Sequence, residues 1–138
     1  MPVTPSQLKK LESEARLVSR RAYAPYSKFK VGAAILTKSG KIYAGCNVEN
    51  ASYGLCNCAE RTAIFSAIAA GEKKPELQCV VVYTPTRKAT APCGACRQVI
   101  YEFGPRARVI STCRSKDRQD HAITEMLPQA FGPSALVK

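Results

Sequence analysis

"LQCVVVYT", residues 77–84, is a nearly continuous apolar run. A strand with one wet face alternates apolar and polar residues, whereas a strand buried on both faces reads without a break. The stretch therefore predicts a central strand, and a strand covered on both faces needs helices above and below its sheet.

The neighbouring chain supplies them. From Cys58 to Ala70 a helical pattern places Ala59, Ala63, Ile64, Ala67 and Ile68 on apolar positions, and Gly71 ends it. Cys93 to Phe103 predicts another helix, stopped by Gly104-Pro105, before "ARVISTC", 107–113, returns as a strand. Upstream, "FKVGAAILT", 29–37, "KSGK" and "IYAGCNV", 42–48, read as a β-hairpin around a Gly-containing turn. Residues 5–23 predict an amphipathic helix with Leu8, Leu11, Ala15, Val18 and Ala22 on its apolar stripe. "APYS", 24–27, is a turn, because Pro25 forces its neighbour out of the helical region. A short fifth strand is placed at 119–124, with a helical turn at Glu125 to Leu127. "SKDRQDHAITEML" lacks the Asp-Gly turn expected between the last two strands, so this strand is the least marked of the set. The order is α-β-β-α-β-α-β-β without repeats or linkers. The expected fold is α/β: a three-layer α-β-α sandwich around a mixed five-stranded sheet, with residues 1–138 as a single domain.

Composition narrows the class. With 46% apolar residues, the 138-residue chain can fold around one core. No apolar run approaches the ~20 residues a membrane span needs. "MPVTPSQLKK" has no apolar signal region, so a cytoplasmic protein is expected. Seven cysteines in such a chain favour metal binding over a disulfide framework. The net charge of +11 suits nucleic acid, anionic substrates or a solvated surface, and charge alone does not choose among them.

Both strand-loop-helix units, 42–70 and 77–103, carry cysteines in the loop that starts the helix. In "APCGACRQV", Cys93 and Cys96 form a C-x-x-C knuckle, whose spacing lets two thiolates grip one tetrahedral ion. A structural site needs a second knuckle, and none exists. A catalytic zinc needs only three protein ligands and an open position. The third comes from "CNC". Cys58 is favoured over Cys56 because it opens its helix as Cys93 does, where two positive dipole ends face the thiolates. Glu60, two residues on, is placed to reach a metal-bound water without being a ligand. C-A-E followed by P-C-x-x-C is the zinc deaminase signature in its all-cysteine form.

The expected mechanism follows from these parts. Zinc lowers the pKa of its water and makes hydroxide the nucleophile. Glu60 takes the water proton and passes it to the ring nitrogen, then to the leaving amine. Three thiolates leave the site net negative, and Arg61 is expected to offset this by donating hydrogen bonds to them.

From about Tyr23 to Pro133 the sequence resembles the small, homotetrameric, zinc-dependent cytidine deaminases. The resemblance rests on "PYSKFKVGAA", "GCNVENASYGLCNCAERTAI", "PCGACRQV" and "EMLPQAFGP". It implies one Zn²⁺ per subunit and deamination of free cytidine and deoxycytidine. It also implies that Asn47 and Glu49 bind the ribose hydroxyls, Phe29 packs on the nucleoside and the Ala59 N–H donates to the pyrimidine. Ala51, Tyr53 and Phe131 match residues that complete the pocket of a neighbouring subunit, so a homotetramer with shared sites is expected.

Deamination within a polynucleotide is the competing reading, since the same zinc core serves it and the chain is basic. "NVEN", which reads free sugar hydroxyls, and the short link from 113 to 119, which has no room for another helix, oppose nucleic acid as a partner. The intact "NVEN" also disfavours a nucleoside-antibiotic deaminase. A purely structural zinc module would show four saturating ligands. Cys56, where the family often has another residue, is read as a loop thiol near a subunit contact. Cys46, Cys79 and Cys113 read as ordinary strand thiols, and His121 as a surface residue.

Overall fold

β3 (Leu77–Tyr83) is buried along nearly its whole length and lies at the centre of a five-stranded sheet. In the computed structural model, which describes residues 2–136, β1 (Gly32–Thr37) and β2 (Ile42–Cys46) form the hairpin on one side of it. β4 (Arg108–Thr112) and β5 (Gln119–Ala122) lie on the other side. The order is β2-β1-β3-β4-β5, with β3 and β4 parallel and every other pair antiparallel.

Alternate residues of β3 feed two cores. Cys79, Val81 and Tyr83 pack with Ala34, Leu36 and Ile110 against Leu11 and Ala15 of α1 (Pro5–Ser19). Val80 and Val82 pack with Ala33, Ile35 and Val109 against Ala59, Ala63, Ile64 and Ala67 of α2 (Ala59–Ala69) and Ile100 of α3 (Gly94–Phe103). One helix covers one face and two cover the other, which makes the expected three-layer sandwich.

Two glycines set how closely helices approach the sheet. A Cβ on Gly32 would come within 1.9 Å of the Ala15 carbonyl oxygen, and one on Gly45 within 2.3 Å of the Ala63 nitrogen. Both contacts are with helix backbone, so neither gives way easily.

Several boundaries differ from expectation, for reasons the hydrogen bonds supply. α1 starts at a capping box between Thr4 and Gln7, with Pro5 next. It ends at Ser19 rather than residue 23, because the chain turns to pair Tyr23 with Val48: the Tyr23 N–H donates to the Asn47 carbonyl, and Glu49 N–H to that of Tyr23. β1 starts at Gly32 rather than 29. Asn47 occupies the place a strand partner would take: its Oδ1 accepts the Val31 N–H at 2.8 Å and its Nδ2 donates to the Phe29 carbonyl at 2.8 Å. β2 accordingly stops at Cys46. The other helices and strands fall within about two residues of expectation.

β5 forms without an Asp-Gly turn. Polar side chains hold the link instead: Ser115 Oγ donates to the Arg87 carbonyl at 2.6 Å, and Asp117 Oδ2 accepts the Ala89 N–H at 2.8 Å. The strand ends at Ala122 because a four-residue helix, α4 (Ile123–Met126), begins there, earlier than the turn expected at 125–127. The 113–118 link holds no helix. The register aligns Gly32, Cys46, Tyr83 and Thr112 at one end of the sheet. The loops into α2 and α3 leave from that end.

Candidate metal centre

Cys58 and Cys93 are the N-cap residues of α2 and α3, both in extended conformation. An N-cap side chain ordinarily accepts a hydrogen bond from the helix's first turn; neither cysteine does. Their sulfurs meet between the helix starts instead, with Sγ atoms 3.8 Å apart. Cys96, in the first turn of α3, joins them, and all three sulfurs lie within 4.8 Å of one another. A tetrahedral zinc with Zn–S bonds of about 2.3 Å sets its sulfurs about 3.8 Å apart. The spacing fits, and three thiolates are a donor set that suits zinc. Among the described residues this is the one such cluster of His, Cys, Asp and Glu, and it offers three ligands rather than four.

The surroundings stabilise negative charge on sulfur. Hydrogen bonding from Cys96, then from Arg61 and Cys93, pulls the Cys58 thiol down to about 5. The same bond, and burial after it, raise the Cys96 thiol. Arg61 Nη2 donates to Cys58 Sγ at 3.3 Å. Its Nε is buried without a partner.

Glu60 lies in the first turn of α2 and is 4% exposed. Burial, more than the charge of Cys58, pushes its carboxyl up to about 7. A buried acid that titrates near neutrality is suited to taking and returning a proton. The first helical residue, Ala59, has an N–H with no intrahelical partner.

Three of the residues expected to hold a nucleoside, Phe29, Asn47 and Glu49, form a second group. Glu49 accepts from the N–H groups of Tyr26 (3.0 Å) and Ser27 (3.1 Å) and from Ser27 Oγ, and the Ser27 hydroxyl leads the causes that lower its pKa. Ser27 Oγ also accepts the Phe29 N–H at 3.0 Å. Glu49, Asn47 and Phe29 are thus fixed to one segment, 26–31. Asn47 spends one acceptor and one donor on it and keeps one of each. Ala51, Tyr53 and Phe131 stand on the surface; the Tyr53 ring lies 5.9 Å from that of Tyr26, and the Phe131 carbonyl is held by Gln98. Cys56 is not in the sulfur cluster: it binds the Asn50 N–H at 3.2 Å and fastens its own loop.

Sequence reasoning missed Ser27 and Arg97. Ser27 carried a signal, a hydroxyl in a turn two residues before Phe29. Arg97 carried another: it follows Cys96 and lies one helical turn after Cys93.

The family model for the cytidine and deoxycytidylate deaminase zinc-binding region matches residues 5–112. A cytidine deaminase from Sporosarcina psychrophila is 42% identical over 130 residues, covering 94% of each chain. One from Halalkalibacterium halodurans is 45% identical over 122 residues, covering 88% of this chain and 91% of that one. The crystal structure of cytidine deaminase from Burkholderia pseudomallei superposes with a TM-score of 0.85 at 52% identity, covering 89% of this chain and 98% of that one.

Proposed function

Since the chain belongs to the cytidine and deoxycytidylate deaminase family, we propose that it hydrolyses free cytidine and deoxycytidine to uridine and deoxyuridine, releasing ammonia, as a cytoplasmic enzyme of pyrimidine salvage. It is a hydrolase with a zinc cofactor. No helix among the described residues is long and apolar enough to cross a membrane.

The observation that carries the reading is a three-sulfur site with a nearly fully buried Glu60 two residues after Cys58, in the first turn of the same helix. Cys58, Cys93 and Cys96 would hold the zinc, which would supply the Lewis acidity that makes water a competent nucleophile near neutral pH. Glu60 accepts the proton that the attacking water loses. It returns that proton to the ring nitrogen; a second proton, from the newly added hydroxyl, then passes through Glu60 to the exocyclic amine, so the C–N bond breaks, the carbonyl forms and ammonia leaves. Arg61 withdraws charge from the Cys58 sulfur and limits how far three thiolates quench the metal.

Substrate is held by residues fixed before it arrives. Glu49, immobilised by Tyr26 and Ser27, and the remaining donor and acceptor of Asn47 take the ribose hydroxyls. Phe29 packs on the nucleoside, and the Ala59 N–H donates to the pyrimidine. Ala51, Tyr53 and Phe131 act in the site of a neighbouring subunit, which makes the enzyme a homotetramer. Their exposure supports this: Phe131 is 60% and Tyr53 73% exposed in the single chain. Residues 1–138 work as one domain. Nucleic acid is not a substrate on this reading, supported by the direct β4–β5 link.

The test is ammonia release from cytidine and deoxycytidine by zinc-loaded protein, with a cytidine-containing oligonucleotide alongside. Turnover of both nucleosides and none of the oligonucleotide is expected. Retained zinc with no ammonia from any pyrimidine nucleoside contradicts the reading.

A further inference from the structure

α3 presents three side chains, at 97, 98 and 101, to the end of α4 and the segment that follows it. Arg97 is the most consequential. Its backbone N–H bonds the Cys93 carbonyl at 3.0 Å as an ordinary helical bond. Its Nε donates to the Pro92 carbonyl at 2.8 Å, so one residue grips both sides of the Pro92–Cys93 corner. Its Nη1 donates at 3.0 Å to the Met126 carbonyl, at the end of α4, where helix carbonyls lack intrahelical partners. One half-buried guanidinium therefore spans the ligand corner and the start of the C-terminal segment. Two further contacts extend the attachment: Gln98 Nε2 donates to the Phe131 carbonyl at 2.7 Å, and Gly132 lies so close under Tyr101 that a Cβ there would meet the ring at 2.6 Å.

We propose that Arg97 is a positioning residue of the metal centre: it fixes the Cys93 corner to segment 126–132, so that ligand geometry at the zinc and the placement of that segment are set together. Cys93 is the exposed member of the sulfur trio and sits at a helix end, where chain frays first. The corner it occupies is buried at Pro92, whose carbonyl accepts from Arg97 Nε. A planar fork joins two carbonyls some thirty residues apart, a geometry that a lysine ammonium does not reproduce. Coupling then runs both ways: loosening the segment loosens the Cys93 ligand, and removing the metal loosens the segment.

The experiment uses Arg97→Gln and Arg97→Lys in the full chain, loaded with zinc or with cobalt(II), whose visible absorption reports thiolate geometry. Expected for Arg97→Gln are zinc loss to a chelator faster by about tenfold or more, an altered cobalt spectrum, and faster hydrogen exchange across 126–132. Arg97→Lys should restore these only in part. Gln98→Ala, which frees Phe131 without touching the Pro92 carbonyl, should also speed zinc release, but by less than Arg97→Gln. Wild-type zinc release with an unchanged cobalt spectrum in Arg97→Gln overturns the proposal. Should that variant not fold, wild-type protein decides: exchange across 126–132 must rise when zinc is stripped, and identical exchange with and without metal overturns it. None of these readouts depends on turnover, so failure here is distinguishable from failure of the proposed reaction.

Discussion

Cys56 and Cys58 are two positions apart and do different work. Cys58 caps α2 with its sulfur turned toward Cys93, 3.8 Å away, whereas Cys56 closes its own loop on Asn50. Cys58→Ser should therefore lower zinc content, and Cys56→Ser should leave it at the wild-type level, both read by metal analysis of purified protein. Equal loss from both variants contradicts the assignment. This distinction was legible in the sequence, because position at a helix start separates the two thiols. The commitments of Asn47 were not. The role proposed for it concerns sugar hydroxyls, but half of its hydrogen-bonding capacity completes the backbone of Val31 and Phe29, contacts across sixteen and eighteen residues that no local pattern encodes.

Among the elements, the central strand and the two helices that begin at ligands were the most legible, since an unbroken apolar run and a helical stripe each carry a period. Ends were less so. α1 stops four residues early because Tyr23 is claimed by Val48, a tertiary pairing. The close approach of α2 to β2 was equally hidden, although Gly45 permits it. Gly45→Ala, which forces a Cβ against the Ala63 backbone, should cost about 1–3 kcal/mol in urea unfolding; wild-type stability would contradict that contact. The edge strand β5 is tied by Arg108 to Asp120, with Nε donating at 2.8 Å. That bond lowers the Asp120 pKa below its ordinary 3.8. The stabilisation is thus complete above the ordinary value and is lost as pH falls through the lower folded one. Because the pair is substantially exposed, Asp120→Asn should cost less than about 1 kcal/mol at neutral pH. The gap between the two proteins should close in acid, as measured by urea midpoints across pH; a gap that widens in acid would reverse the sign.

At the scale of the whole molecule, topology makes the site. The parallel β3–β4 pair and the hairpin place the starts of α2 and α3 at one end of the sheet, so three cysteines spread over thirty-nine positions meet beside one buried acid. The motif spacing announced the ligands; the sandwich explains why they converge and why Glu60 is dry enough to titrate at about 7. The most direct test of the account is Glu60→Gln in the intact enzyme, with zinc per chain and ammonia release from cytidine measured on the same sample. Wild-type zinc with turnover lowered by roughly 10²–10⁴-fold or more is the expected result. Near-normal turnover with zinc in place would contradict it.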